Sequence, residues 1–481
     1  MYNSTRRDFI KSVGAAVAGS SAASFVDLDQ VLLDQDPAPA SAPQAGPNTT
    51  IGVALIGVGS RGSHLRRSHG YWSVQELARE TFKAAPPARI AGVEIRTVAD
   101  CYKARAEEAQ AAIQSLGGNA RIETDWRRVM DDKNIDAVVI ATADVWHTPI
   151  ALAAAQAGKD VYVEKCMSNN VKEAKELKSY IKANPARILQ VGHQNRHSNY
   201  HKIARELIKT GTLGKISSVQ ATLGRNTSDG AYANKVSSEL RERIVGWELF
   251  LPPGCKEEFS VDKFLNWRKY WAFSTGMAGD LLSHEIDAVN MLLGVEIPDS
   301  VVASGGNYIY KDGRETPDVY SVIHEYKDRE LTLTYNGTFG SAYDRKLTIC
   351  GTDAAMVLGL ELAVYPDSGS TRYRKELDAG KMNPASPFIH FAGPTRDPKL
   401  KTSPTLAWAE GKGLTFTDIG GKRLDVTRLH LEEFYKNVRE RTAPTCGIDD
   451  GYKVAIACCM GTLSFRENRR VRYDREKDEV L

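Results

Sequence analysis

A glycine-rich motif directly after an apolar run constrains this chain more than any other feature. Ile51–Ile56 form the run, and Gly57-Val58-Gly59-Ser60-Arg61-Gly62 follow it. In a G-x-G-x-x-G motif the first glycine permits a tight turn, the second lets a pyrophosphate approach the backbone, and the third allows close packing of helix on strand. Unpaired N–H groups at the start of the helix would bind the phosphates. The motif therefore predicts a dinucleotide-binding strand–turn–helix.

A carboxylate stands where the second strand is expected to end. Asp100 follows the apolar run Ile95–Ala99. There it would accept hydrogen bonds from the adenosine ribose 2′-hydroxyl and repel a 2′-phosphate, which favours NAD over NADP. NADP stays open as the less favoured cofactor, because the preceding crossover is long and Arg61 or Lys103 could accommodate a phosphate.

The hydrophobic pattern divides the chain after residue 193. Over residues 51–193 short β-type runs alternate with amphipathic helical stretches, which predicts a Rossmann domain with a doubly wound parallel sheet. The expected strands are Ile51–Val58, Ile95–Ala99, Ala137–Ala141, Asp160–Val163 and Ile188–Gly192. Residues 194–481 begin with a helix and continue with closely spaced strands, which predicts a C-terminal α+β domain with a large, mainly antiparallel open sheet. Its strands are expected at Ile216–Leu223, Ser300–Ile309, Val319–Tyr326 and Leu331–Thr338, and the C-terminal helices are expected to pack on the Rossmann domain.

The first 50 residues differ in character from the rest. Arg6 and Arg7 precede a weakly apolar stretch, Val13–Phe25, which is rich in Ala, Gly and Ser. This order is typical of a twin-arginine export signal. We therefore expect a signal peptide over residues 1–30, a linker over residues 31–50 and a periplasmic mature protein. No cysteine follows the apolar stretch and no later run approaches about 20 apolar residues, so no membrane anchor is expected.

Charge and cysteine usage exclude several other classes. The formal net charge of +3 is spread over 481 residues, so no nucleic-acid partner is expected. Seven cysteines without a Cys-x-x-Cys argue against a zinc ribbon and a disulfide framework. His193, His197 and His201 would share one face of a continued helix, but no acidic residue stands at ligand spacing nearby, so no metal is expected.

Polar segments follow two further predicted strands, and ligands bind at the carboxyl ends of parallel strands. One segment runs from Thr142 to His147, and the other is Glu164-Lys165-Cys166. A third segment, Gly276–His284, places Asp280 and His284 four residues apart, hence on one face if the segment is helical. A hydride cannot leave an alcohol carbon unless the hydroxyl proton is also removed, so these segments are candidates for an acid–base site.

The three segments resemble those of the Gfo/Idh/MocA oxidoreductases. Members carry a Glu-Lys-Pro turn whose lysine reaches the reacting hydroxyl, a Thr-Pro-x-x-x-His-like loop, and a glycine-rich segment that ends in Asp-x-x-x-His. Cys166 and Ala143 replace the two prolines here. The resemblance implies that Lys165 and His284 share the acid–base role and that Asp280 orients the substrate or the base. Residues expected at the cofactor are Gly57, Gly59, Ser60, Arg61, Gly62, Asp100, Thr142, Asp144, His147, Glu164, Lys165 and Gln194. Residues expected at the substrate are Arg196, Tyr200 and Trp271.

The resemblance implies a homo-oligomeric NAD(P)-dependent oxidoreductase that moves a hydride between a ring carbon of a sugar or glycoside, possibly C3, and the nicotinamide, and the twin-arginine segment predicts that it is exported. A second possibility is an NAD-dependent glycoside hydrolase, which oxidises the sugar transiently, eliminates the aglycone and reduces the product again. Such hydrolases carry Tyr-Pro-Thr-His in place of the segment from Asp280 to His284. A third possibility is a non-catalytic, nucleotide-retaining sugar-binding protein, which loss of Lys165 would have favoured.

Overall fold

The computed structural model describes residues 50–78, 88–227, 230–236, 240–359, 361–391, 416–419 and 422–481. The expected signal peptide and nearly all of the expected linker lie outside the described residues. Within the described ranges, no helix combines the length and the apolar character needed to cross a lipid bilayer.

Six parallel strands form the sheet of the first domain, in the order β3-β2-β1-β4-β5-β6. They are β1 Ile51–Ile56, β2 Val93–Ala99, β3 Arg121–Glu123, β4 Ala137–Ile140, β5 Asp160–Val163 and β6 Leu189–Val191. This topology confirms the predicted Rossmann sheet. The prediction omitted β3, because this edge strand has three residues, none of them buried, and therefore lacks an apolar run.

Helices cover both faces of this sheet. They are α1 Ser60–Ser68, α2 Val74–Ala78, α3 Lys103–Gln114, α4 Arg127–Asp131, α5 Asp144–Gln156 and α6 Val171–Ala183. Val53 and Leu55 of β1 belong to the same apolar cluster as α1 and α3, whereas Ala54 and Ile56 belong to the cluster that contains α5 and α6. Burial on both faces explains why β1 reads as a continuous apolar run.

The second domain is built on a ten-stranded sheet in the order β14-β13-β12-β11-β7-β10-β9-β8-β17-β18. Its strands are β7 Ile216–Arg225, β8 Ser300–Gly306, β9 Val319–Tyr326, β10 Leu331–Thr338, β11 Ser341–Gly351, β12 Ala354–Leu358, β13 Leu362–Pro366, β14 Ile389–Phe391, β17 Val471–Asp474 and β18 Glu479–Val480; a separate hairpin comprises β15 Phe416–Ile419 and β16 Lys422–Asp425. Strands β7 and β10 pair in parallel, and the other described pairs of this sheet are antiparallel, as predicted.

The helices of the second domain include two that return to the first. They are α7 Asn199–Lys209, α8 Glu242–Val245, α9 Trp247–Phe250, α10 Val261–Leu265, α11 Ser283–Leu293, α12 Arg374–Asp378, α13 Val426–Glu440 and α14 Ile448–Glu467. Helix α13 buries Leu431, Phe434 and Tyr435 in the apolar cluster of β1 and α1. Helix α14 packs between α6 of the first domain and β8 of the second. The two domains therefore share a continuous apolar contact beside the carboxyl ends of β4, β5 and β6.

Candidate active site

The glycine motif forms the turn that its spacing predicts. Gly57 has φ +83°, and a Cβ on it would lie 2.6 Å from the carbonyl oxygen of Ala141. A Cβ on Gly62 would lie 1.9 Å from the carbonyl oxygen of Gly57, so this glycine is needed for the close approach of α1 to β1. A Cβ on Gly59 would have as its nearest non-adjacent neighbour a nitrogen of the Arg105 guanidinium, 3.5 Å away. The loop thus leaves its backbone open at the second glycine and tightly packed at the other two.

Asp100 fixes this loop from the end of β2. One carboxylate oxygen accepts a hydrogen bond from the amide of Val58 at 2.9 Å, and the other accepts one from the amide of Tyr102 at 2.9 Å. Burial raises the pKa of Asp100 above its ordinary value, although Arg105 and the two amides oppose the rise. Asp100 therefore couples the ends of β1 and β2, a contact that the sequence did not predict.

A lysine–aspartate ion pair lies at the junction of the two domains. Lys165 follows β5, and its Nζ donates to the Oδ1 of Asp280 at 3.0 Å and to the carbonyl oxygen of the same residue. Asp280 lies in a π-helical turn, Ala278–Leu282, which leads directly into α11. The Lys165–Cys166 peptide bond is cis. Two segments separated by 115 residues thus meet at one ion pair.

Asp280 has two further donors. Nε of Arg268 donates to its Oδ1 at 3.1 Å, and the hydroxyl of Tyr232 donates to its Oδ2. Burial by itself would raise the pKa of Asp280, but the Lys165 and Arg268 cations outweigh burial and hold that pKa well below its usual range. Asp280 is therefore a fixed negative charge at neutral pH, suited to holding Lys165 and poorly suited to accepting a proton.

His284 is a neutral histidine beside this ion pair at pH 7. Burial, together with the nearby charges of Lys165 and His193, lowers its pKa well below the usual range of histidine. Its Nδ1 is buried and finds no hydrogen-bond partner among the described residues. The ring of His193 lies edge-on to it, with the ring centroids 6.1 Å apart. At neutral pH the imidazole therefore offers a polar atom that is unused within the described part of the chain.

Two family models match this chain. One, described as the NAD-binding Rossmann fold of the Gfo/Idh/MocA oxidoreductase family, matches residues 51–193, and the other, the C-terminal alpha/beta domain of the same family, matches residues 257–473. Together they cover most of the chain. The protein is a member of the Gfo/Idh/MocA oxidoreductase family.

Curated relatives are consistent with this membership. A levoglucosan dehydrogenase of Pseudarthrobacter phenanthrenivorans is 27% identical over 360 residues, which cover 69% of this chain and 78% of that protein. An inositol 2-dehydrogenase of Salmonella typhimurium is 26% identical over 167 residues, 34% of this chain and 44% of that protein. The chain thus matches less than half the length of the inositol dehydrogenase.

Solved structures share the two-domain fold. A levoglucosan dehydrogenase in complex with NADH superposes with a TM-score of 0.59 at 21% identity, over 88% of this chain and 98% of that one. A putative myo-inositol dehydrogenase from Sinorhizobium meliloti superposes with a TM-score of 0.54 at 18% identity, over 88% of this chain and 100% of that one. At these identities the likeness establishes the fold.

The first domain of this Gfo/Idh/MocA protein binds NAD. The described residues fit the cofactor, because the turn is open at Gly59 and α1 begins immediately after it. The backbone of residues 57–62 would hold the pyrophosphate and the edge at Asp100 the adenosine ribose. Oε1 of Gln194, on the turn after β6, is buried without a hydrogen-bond partner in the described ranges, so it is available to a ligand.

Several residues predicted at the cofactor have partners within the protein. Nε of Arg61 donates to Glu164 at 2.8 Å. The carboxylate of Asp144 accepts hydrogen bonds from the amide and hydroxyl of Thr275, and the ring nitrogens of His147 lie 2.7 Å from the carbonyl oxygen of Cys166 and 3.2 Å from that of Thr142. These contacts join the polar segments after β4 and β5 to each other and to the second domain. A direct contact with the nucleotide stays a prediction for each of them, as it does for Ser60.

The three residues predicted at the substrate have different surroundings. The Arg196 guanidinium is buried, donates to Asp287 at 2.7 and 2.9 Å and also donates to the carbonyl oxygen of Thr445. The guanidinium thus has partners within the protein, and its role in substrate binding stays a prediction. The Trp271 ring lies near Phe465, with centroids 6.2 Å apart, and under the Arg466 guanidinium. Tyr200 is half-buried and packs against the main apolar core. For Trp271 and Tyr200 the role stays a prediction.

Tyr232 and Arg268 belong to the site, although the sequence did not single them out for it. The Arg268 guanidinium lies 4.1 Å from the ring centroid of Trp267 and 5.3 Å from that of Tyr232. The aromatic cluster from Trp267 to Trp271 was a signal for Arg268, because it flanks the glycine-rich segment. Tyr232 lies in an irregular segment with no motif, and only the tertiary structure brings it to Asp280.

Proposed function

We propose that this protein is an NAD-dependent dehydrogenase of a sugar or sugar derivative, and that it acts after export. The main support for this proposal is the cluster at the junction of the two domains. In it Asp280 holds Lys165, and Nδ1 of the neighbouring His284 is buried without a partner among the described residues. The levoglucosan and inositol dehydrogenases among the relatives favour a ring hydroxyl of a cyclic polyol or anhydrosugar as the reacting group.

The charged and neutral groups of the cluster have different roles in the proposed oxidation. NAD, when bound, supplies the acceptor for the hydride that leaves the ring carbon. His284 is neutral at pH 7, so its Nδ1 can take the hydroxyl proton. Lys165 can donate a hydrogen bond to the same oxygen and stabilise the developing alkoxide. Asp280, held ionised by its cationic neighbours, keeps the lysine in place.

Export and self-association complete the proposal. The paired arginines Arg6 and Arg7 support translocation by the twin-arginine route, which delivers folded proteins and so allows NAD to be bound before export. Replacing both arginines by lysine should retain the protein in the cytoplasmic fraction, and unchanged periplasmic recovery would contradict the assignment.

We further propose a homo-oligomer through the open sheet of the second domain, on which Ile323 is exposed. A monomeric mass in light scattering would contradict it.

The enzymatic part is tested by purifying the protein, identifying any bound nucleotide by mass spectrometry, and following absorbance of reduced nicotinamide with a panel of substrates. The panel should include levoglucosan, myo-inositol, aldoses and glycosides. A stable, substrate-dependent rise in NADH supports the dehydrogenase. Release of free sugar from a glycoside without net NADH would assign the redox-neutral hydrolase instead. Absence of both reactions, with nucleotide bound, would favour a non-catalytic binding protein.

A further inference from the structure

A cluster of metal-ligating side chains lies outside the candidate active site. His197 ends the short 3-10 helix that follows β6, while His430 and Glu433 lie one turn apart on α13. The sequence placed no acidic residue near His197, because Glu433 is 236 positions further along the chain. Folding brings candidate ligand atoms of all three residues within 4.8 Å of one another.

We propose that His197, His430 and Glu433 bind a divalent transition-metal ion, with Zn²⁺ as the probe of choice. Zinc binds imidazole nitrogen and carboxylate oxygen at about 2.0–2.2 Å, so two ligand atoms of a tetrahedral ion lie about 3.4 Å apart. The Nδ1 atoms of the two histidines are 3.2 Å apart. Oε2 of Glu433 lies 3.5 Å from Nε2 of His197 and 3.7 Å from Nδ1 of His430. One ion can take only one of the two nitrogens of His197, so these distances do not all apply at once. One candidate ligand atom from each residue lies within 4.8 Å of the others, and small side-chain rotations would bring all three onto one ion.

The hydrogen bonds around the cluster leave a ring nitrogen and a carboxylate facing each other without a hydrogen between them. A cation bound there would interact favourably with both. Nε2 of His430 lies 2.9 Å from the carbonyl oxygen of Val191, which can only accept, so this nitrogen carries the hydrogen and Nδ1 of a neutral ring is bare. The hydrogen of the contact between the two rings must then come from Nδ1 of His197. When His197 is neutral and Glu433 is ionised, this leaves Nε2 of His197 bare and facing the Glu433 carboxylate, where two acceptors meet.

The groups around the cluster hold the proposed ligands in place. Thr445 donates to Oε1 of Glu433 through its amide at 2.8 Å and to Oε2 through its hydroxyl at 2.9 Å. The bond from His430 to Val191 fixes that ring, as outer hydrogen bonds do for metal-bound histidines. His430 is fully buried, but His197 and Glu433 keep 14% and 16% of their side-chain surface exposed. An ion could therefore enter from solvent and retain water as a fourth ligand.

The site would join the end of the Rossmann sheet to the returning helix α13. Val191 ends β6, Gln194 and His197 bound the turn that follows, and His430 lies on α13. An ion bound here would stabilise this junction in the folded chain, because the three ligands are brought together only by folding. The expected effect is structural, and it is independent of whether the proposed dehydrogenase activity is correct.

The experiment uses the whole protein without a histidine tag, treated with a chelator and exchanged into chelator-free buffer. ZnCl₂ alone is titrated in competition with a chromophoric chelator, and the melting temperature is followed in parallel. The wild type should bind one Zn²⁺ per chain and melt at a higher temperature with zinc. Glu433→Gln and His197→Gln should each weaken binding at least tenfold and abolish the rise in melting temperature.

A matched control breaks a histidine–glutamate contact outside the proposed metal site. His390 lies 3.0 Å from Glu361, and both side chains are exposed. His390→Gln should therefore bind zinc as the wild type does. Circular dichroism and NADH binding verify that each variant is folded, and if one variant misfolds the other decides. Failure of the wild type to bind one equivalent, or unchanged affinity in a folded variant of the cluster, would overturn the proposal.

Discussion

Lys165 is positioned by the carboxylate of Asp280, which a second cation, Arg268, also contacts. Asp280 receives hydrogen bonds from Lys165, Arg268 and Tyr232. A buried carboxylate is stable only when it is paired and hydrogen-bonded, and this one is both. In the proposed reaction the roles are therefore divided: Asp280 stays ionised, and Lys165 and His284 face the reacting hydroxyl.

Lys165→Met should lower kcat by about 10²–10⁴-fold, the range typical for loss of an acid–base group. The methionine keeps most of the volume, so NADH binding and the circular dichroism spectrum should change little. Lys172→Met removes a lysine that is largely exposed and should leave kcat unchanged. A Lys165→Met variant that retained more than a tenth of wild-type kcat would contradict the assigned role.

Asp280→Asn should lower kcat by at least tenfold, because the amide no longer offers two anionic oxygens to Lys165, Arg268 and Tyr232. The pH profile of kcat should distinguish a residue that positions Lys165 from a residue that only stabilises the fold. We expect the profile of Asp280→Asn to be displaced from that of the wild type, since Lys165 loses its counter-ion. Equal kcat and an unshifted profile would contradict this role.

The sequence identified Lys165, Asp280 and His284 because each lies in a motif whose position relative to a strand or helix can be read from the chain. It did not identify Tyr232, which lies 48 residues before Asp280 in a segment without a motif. It did not predict the partner of Arg196, because Asp287 is 91 residues away. Charge partners of that kind are set by tertiary packing, which spacing within one segment does not encode.

Helix α13 is the element that fastens the C-terminal region to the nucleotide-binding domain. Phe434 is fully buried, and its ring centroid lies 5.9 Å from that of Tyr162 on β5. The amide of Gln190 on β6 donates to the carbonyl oxygen of His430 at 2.7 Å. The candidate active site lies at the carboxyl ends of these same strands, so the position of α13 bears on the geometry of the site.

Phe434→Ala should lower the free energy of unfolding by about 3–5 kcal/mol, the usual cost of deleting a fully buried phenylalanine. Urea titration followed by circular dichroism measures the change. Glu432→Ala, on the exposed face of the same helix, should cost well under 1 kcal/mol. Equal costs for the two substitutions would show that α13 is not anchored as described.

Elements with strong periodicity were predicted closely. Strands β9 and β10 occupy the residues that the sequence indicated, because each alternates buried and less buried positions over eight residues. β3 was missed because it has three residues at a sheet edge and buries none of them. The parallel pairing of β7 with β10 was also beyond sequence reasoning, since pairing direction depends on connections that span more than 100 residues.

At the scale of the whole molecule, buried histidines should make stability depend on pH. Burial lowers the pKa of His69, His201 and His324 to about 4, from 6.5 for an exposed histidine. Below pH 6.5 the unfolded chain takes up protons that the folded chain does not, so stability present above pH 6.5 is lost as the pH falls toward 4. Each histidine contributes a slope of about 1.4 kcal/mol per pH unit in that interval.

Urea midpoints between pH 8 and 4.5 measure this dependence. The free energy of unfolding should change little from pH 8 to 7 and fall steeply below pH 6. His324→Leu removes one of the buried rings and should reduce the slope by about one proton. A stability curve that is flat from pH 6.5 to 4.5 would contradict the burial of these histidines as neutral groups.

We propose that this protein transfers a hydride from a sugar ring carbon to NAD with Lys165 at the reacting hydroxyl. It is tested most directly by incubating the enzyme with NAD and a substrate deuterated at the reacting carbon, and by locating the deuterium by mass spectrometry. We expect deuterium on reduced NAD and a keto-sugar product, with the rate reduced at least a hundredfold in Lys165→Met. Deuterium retained in a hydrolysed sugar with NAD unchanged, or equal transfer in the Lys165→Met variant, would contradict it.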